Sequence, residues 1–141
     1  MGNLRVAVCD DEPMDLVQTI TLIQQYDTGK CFDIFSYTRA VDLLKIALEK
    51  PFDVVLLDIE METPNGYEIA KKLVMLPSPP VIIFVTKSSA YTLKGYGIAL
   101  RYLQKPLARA AFEEALDASV HEAIAHRLYF TSEDRTVALP L

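Results

Sequence analysis

Apolar positions along this chain come in blocks of two different periods. Leu4 to Val8 is an apolar run of strand length, and Val54 to Leu57 and Val81 to Val85 repeat it. Such continuous runs belong to strands buried on both faces of a sheet. Phe32, Ile34 and Phe35, and later Arg101 to Gln104, mark two further strands. Between them the period changes to that of a helix. Leu16, Ile20 and Ile23 keep helical spacing up to Tyr26; Pro13 opens the segment and Asp27-Thr28-Gly29 breaks it. Ala40, Val41, Leu44, Ala47 and Leu48 form one apolar helical face, closed by Pro51. A third helix buries Ile69, Ala70, Leu73 and Val74 and ends at the stiff loop Pro77 to Pro80. A fourth, near Ala90 to Tyr96, is weakened by Gly95 and Gly97, and a long alanine-rich fifth runs from Leu107 to Ala125.

Five strands alternating with five helices predict an α/β fold. The expected architecture is a doubly wound five-stranded parallel sheet with helices on both faces and right-handed crossovers. The tail departs from this rhythm. Leu128 to Thr131 and Thr136 to Leu139 flank Ser132-Glu133-Asp134-Arg135, which predicts a C-terminal β-hairpin. The chain is thus expected to divide into a domain of residues 1–126 and an extension of residues 127–141.

Composition narrows the function classes. With 51% apolar residues, 141 residues fill one core without disulfides or a structural metal. No apolar run approaches the roughly 20 residues of a membrane span, and the start lacks a signal-peptide layout, so no membrane partner is expected. Cys9 and Cys31 show no metal-ligand spacing and read as buried, reduced thiols, which suits a cytoplasmic protein. A net charge of -5 gives no electrostatic footprint for nucleic acid, so this portion is not expected to bind DNA by itself.

The candidate chemistry lies at the strand ends. Strands one, three, four and five finish in Asp10-Asp11, Asp58, Thr86 and Lys105. In an open α/β sheet the carboxyl ends of the strands form the site, so three carboxylates, a hydroxyl and an ammonium meet at one edge. Three carboxylates raise each other's pKa unless a cation is present. Mg²⁺ suits them, because it takes few carboxylates and keeps several waters. A carboxylate beside such an ion can attack a phosphoryl group and form an acyl phosphate. A lysine and a hydroxyl then meet the phosphoryl oxygens.

Val8-Cys9-Asp10-Asp11-Glu12, Leu56-Leu57-Asp58-Ile59-Glu60-Met61 with Gly66 following, Phe84-Val85-Thr86, and Tyr102-Leu103-Gln104-Lys105-Pro106 resemble the receiver domain of two-component response regulators. The resemblance runs from about Leu4 to Ala125 and implies a flavodoxin-like receiver fold. It also implies roles: Asp58 as phosphoacceptor for a sensor histidine kinase, and Mg²⁺ held by Asp10, Asp11, Asp58 and the backbone carbonyl of Glu60. Thr86 would follow the phosphoryl group, and Tyr102 would change rotamer with it, switching the surface of the fourth helix and fifth strand. Lys105 would pair with the phosphoryl oxygens, beside a cis Lys105-Pro106 bond. The resemblance implies a homodimer on phosphorylation. Arg127 to Leu141 resembles the first hairpin of a LytTR-type DNA-binding domain, a resemblance that Tyr91 and Leu107 extend. It implies transcription regulation, with DNA bound only through an output domain not complete in this chain.

The chain also departs from the family pattern. Glu62 stands where proline is usual, with Pro64 two residues later; Lys87 follows the threonine, where many members carry a small residue; Arg101 replaces an acidic residue. Two other readings stay open. A haloacid dehalogenase-like Mg²⁺ phosphatase also uses an Asp after an apolar strand, but needs a second Asp where Glu60 stands. A degenerate receiver would act only as a binding module, against which the intact acidic and basic set argues. His121, His126 and Lys71-Lys72 read as solvated helix positions without a role.

Overall fold

The computed structural model describes residues 2–61, 65–87 and 97–138. Strands β1 (Leu4–Cys9), β2 (Phe32–Tyr37), β3 (Val54–Leu57), β4 (Val81–Thr86) and β5 (Arg101–Gln104) form one sheet in the order β2-β1-β3-β4-β5. Every pairing is parallel, with Cys9 beside Leu57, Leu57 beside Phe84 and Thr86 beside Gln104. The continuous apolar runs are explained by burial on both sides: β3 and β4 are buried at every position.

Side chains alternate between two cores, as strand geometry requires. Val6, Val8, Val54, Leu56, Ile83, Val85 and Leu103 pack with Leu16 and Ile23 of helix α1 (Pro13–Tyr26) and with Phe112 and Leu116 of helix α4 (Arg109–Ala138). Ala7, Cys9, Val55, Leu57, Ile82 and Phe84 pack with Leu43 and Ala47 of helix α2 (Ala40–Glu49) and Ile69 and Leu73 of helix α3 (Gly66–Leu73). The buried stripe of α2 is rotated from the expected one, to Ala40, Leu43 and Ala47, and Leu48 is 65% exposed. Pro13 occupies the first turn of α1, as its spacing predicts. Asn65 caps α3, its side chain accepting from the Glu68 N–H at 2.9 Å.

The C-terminal hairpin expected over residues 127–141 is not formed. Helix α4 runs past residue 126 and on to Ala138. Extending an existing helix gains one hydrogen bond per ordered residue, whereas a hairpin must be nucleated and, without a third strand, is marginal in water. Leu128 to Thr131 lies instead within this helix. The fourth expected helix near Ala90 to Tyr96, with Tyr91, falls outside the described residues, as do Glu62 to Pro64. Cys9 is buried as expected, but Cys31 is exposed, and both are free thiols. Among the described residues, no helix is long and apolar enough to cross a membrane.

Arg127 pins the C-terminal helix to the edge of the sheet where β1 and β3 begin. Its guanidinium donates to Asp53 at 2.8 and 2.7 Å and to the carbonyls of Gly2 and Asn3 at 2.9 and 2.7 Å. Asp53 also accepts from the Arg5 N–H at 2.7 Å. Planar bidentate pairing of this kind is specific to arginine. Arg127→Ala is expected to destabilise the fold by about 1–3 kcal/mol, read as a lower urea midpoint with an unchanged slope. Arg127→Lys should recover only part of that loss.

Candidate functional site

The ladder continues one residue beyond three strands. Asp10 donates its N–H to Tyr37, Asp58 to Cys9 and Lys105 to Thr86, at 3.1, 3.0 and 2.8 Å. This brings the ends of β1, β3, β4 and β5 level at one edge. Asp10 and Asp58 are 2% and 6% exposed, and Thr86 is fully buried. The Asp10 side chain accepts from the Glu12 N–H and that of Asp58 from the Glu60 N–H, both at 3.0 Å. Each carboxylate is therefore aimed by the turn that follows it.

Lys105 joins them. Its Nζ donates to Asp10 Oδ2 at 2.7 Å, Asp15 Oδ2 at 2.9 Å and Asp58 Oδ2 at 3.1 Å. Burial alone would depress the Lys105 pKa. The hydrogen bonds to Asp10 and Asp15, with the charge of Asp58, outweigh it and raise the ammonium above its ordinary range. Asp58 shifts the other way from an ordinary carboxylate. Burial pushes it up to about 6; Lys105 opposes this and Asp10 adds to it. Asp15 was not anticipated: it lies in the first turn of α1, where a polar residue reads as solvated, and its bond to Lys105 holds its pKa low.

Asp10, Asp11 and Asp58 can each offer a carboxylate oxygen to a common point, with those atoms within 4.8 Å of one another. All are hard oxygen donors, and three carboxylates converging within 4.8 Å repel one another unless a cation lies between them. Both properties fit a divalent ion such as Mg²⁺. Glu60 is exposed, next but one to Asp58, and its N–H is committed to that carboxylate. Cys9, directly before Asp10, is no nucleophile here: burial and then Asp10 push its thiol up to about 12.

Thr86 ends β4, and Tyr102 packs against the other core. Tyr102 sits beside Phe84 in the sheet, their rings 5.4 Å apart, and Phe84 in turn meets Tyr67 of α3 at 6.4 Å. A row of three aromatic rings thus runs from β5 across β4 to the helix that follows Asp58. The Lys105-Pro106 bond is cis. Gly66 opens α3 against the turn that follows Asp58, its N–H donating to the Ile59 carbonyl at 3.1 Å. Arg101 pairs with Glu114 at 2.8 Å and His126 with Glu122 at 3.2 Å, both on the exposed side of α4, where such pairs contribute little.

A five-stranded parallel sheet in this order, with acidic turns and a lysine gathered at its carboxyl edge, defines a flavodoxin-like receiver architecture. The chain belongs to the response regulator receiver domain family, whose model matches residues 6–117. It is 29% identical over 114 residues to the sensory transduction protein LytR of Streptococcus mutans, covering 80% of this chain and 47% of that one. Its identity to the positive alginate biosynthesis regulatory protein of Pseudomonas aeruginosa is 32% over 114 residues, covering 80% and 46%. The chain spans about half the length of these relatives. Among solved structures, the response regulatory domain of protein mrkE from Klebsiella pneumoniae superposes with a TM-score of 0.79 at 20% identity, covering 86% of this chain and 99% of that one. A two component transcriptional regulator AraC from Clostridium phytofermentans gives 0.76 at 27% identity, covering 89% and 98%.

Proposed function

We propose that residues 1–126 act as a phosphoacceptor: Asp58 takes a phosphoryl group from a sensor histidine kinase in the cytoplasm. The observation that carries this reading is the Lys105 ammonium placed 3.1 Å from Asp58 and 2.7 Å from Asp10 at the carboxyl edge of a receiver sheet. Asp58 Oδ attacks phosphorus, the N–P bond of the phosphohistidine breaks, and its electron pair returns to the imidazole. A magnesium held by Asp10, Asp11, Asp58 and the Glu60 carbonyl would neutralise charge on the phosphoryl oxygens. Lys105 supplies the second positive charge, already desolvated and therefore strong. Thr86, at the end of β4, offers its hydroxyl to a phosphoryl oxygen, and Tyr102 relays the change along the aromatic row to the outer face of β5.

The altered face then favours homodimers and controls transcription through a LytTR-type output module, which would make the DNA contacts. The names of the curated relatives support that direction, since several are transcriptional regulators. Incubation with Mg²⁺ and acetyl phosphate or phosphoramidate should add one phosphoryl group per chain, seen by intact mass, and EDTA should prevent it. Catalytic release of phosphate from simple phosphomonoesters would favour a haloacid dehalogenase-like phosphatase instead. No uptake from any donor would leave a binding module.

A further inference from the structure

Lys105 holds three carboxylates at once, and one of them lies outside the strand-end set. Its Nζ is 2.9 Å from Asp15 Oδ2, between the 2.7 Å to Asp10 and the 3.1 Å to Asp58. An ammonium has three protons, so all are used. Asp10 and Asp58 also belong to the triad whose oxygens can converge on a cation, and Asp15 does not. A divalent ion and the Lys105 ammonium therefore draw on the same two carboxylates, where like charges repel strongly.

The ammonium has to give way when the ion enters. It also has to stay beside Asp58 to meet the phosphoryl oxygens. Of its three partners, only Asp15 is left to it by the ion. There is room for the shift: Asp15, Gln18, Lys87, Lys105 and Pro106 line a cavity of about 260 Å³ on the α1 side. Asp15 is fixed by the first turn of a helix whose neighbouring Leu16 is anchored in the core.

We propose that Asp15 is a positioning residue, a seat on α1 that retains the Lys105 ammonium beside the acceptor while a divalent cation occupies Asp10, Asp11 and Asp58. This role rests on the phosphoacceptor reading above. Asp15 lowers the cost of moving Lys105 aside, so it raises affinity for the ion by acting through the lysine.

The test is a double-mutant cycle on Mg²⁺ binding itself, measured by calorimetry without any phosphodonor. Asp15→Asn should weaken Mg²⁺ binding about fivefold. Lys105→Gln should tighten it, because the competitor is gone, and in that background Asp15→Asn should change it less than about twofold. If Asp15 were a bare negative charge near the ion, its loss would cost as much or more without the lysine, and that result would overturn the proposal alone. Absence of Mg²⁺ binding by the unmodified chain would overturn the metal reading as well. A second measurement needs no lysine variant. At saturating Mg²⁺ the Lys105 Nζ protons should exchange with water several times faster in Asp15→Asn than in the parent, and equal rates would also overturn the proposal.

Discussion

Asp58→Asn should lose phosphoryl uptake completely and yet gain roughly 1–2 kcal/mol of stability at neutral pH without Mg²⁺. Burial holds the Asp58 carboxyl at about 6 in the folded chain, against an ordinary value of 3.8. Below pH 4 the group is protonated in folded and unfolded chains alike, and it costs nothing. As pH rises towards 6 the unfolded chain releases its proton first, so stability falls; above 6 the cost is complete. A shift of this size corresponds to about 3 kcal/mol. That net figure already contains the attraction of Lys105 at 3.1 Å; asparagine avoids the cost of the charge but still buries a polar amide, at about 1–2 kcal/mol, while Lys105 keeps Asp10 and Asp15. The melting temperature of the variant should exceed that of the parent by roughly 3–8 °C at pH 7, and the two should converge near pH 4. Adding millimolar Mg²⁺ should narrow the gap at pH 7, because the parent gains more from binding the ion. A variant less stable than the parent at pH 7 would show that Asp58 is net stabilised by Lys105. Phosphoryl uptake persisting in Asp58→Asn would remove Asp58 from its role.

The carboxyl edge of the sheet was legible because two periodicities agree there. Val54, Leu56 and Asp58 share one parity, as do Val6, Val8 and Asp10, and Leu103 with Lys105. The apolar members of each series pack on the α1 and α4 side. The charged residue that ends each series is thus delivered to the same side of the same edge, which is why Asp10, Asp58 and Lys105 touch. Thr86 and Tyr102 share the opposite parity, with Phe84, and Tyr102 packs against the other core. Asp15 escaped notice because a polar residue in a helix carries no such signal. What could have found it is its place: first turn of the helix after β1, next to the buried Leu16, hence on the face nearest Lys105. The tail misled for the opposite reason. The strand-like residues Leu128 to Thr131 form a strand only if a sheet receives them, and no single stretch of sequence states whether one does. A helix already pinned by Arg127 had the cheaper continuation.

Gly66→Ala is the substitution expected to damage the fold most. The chain bends so tightly from Asp58 into α3 that a Cβ at residue 66 would lie 2.1 Å from the Asp58 carbonyl oxygen and 3.0 Å from the Ile59 Cα. Neither obstacle is a flexible side chain, so the backbone has to move. That movement would break the Gly66 N–H bond to Ile59 at 3.1 Å and disturb the Asn65 cap on Glu68 at 2.9 Å. Overpacking against fixed atoms, added to those losses, should cost about 3 kcal/mol or more, and lower the melting temperature by on the order of 10 °C. The contrast with Asp58→Asn separates structure from chemistry, since that variant should lose phosphoryl uptake while melting higher and Gly66→Ala should only slow it while melting lower. Because the Asp58 carbonyl is the atom struck, the residual folded Gly66→Ala protein should also accept phosphoryl groups more slowly than the parent at equal folded fraction. Unchanged stability in Gly66→Ala would mean that α3 does not press on the turn after Asp58 as closely as this contact implies.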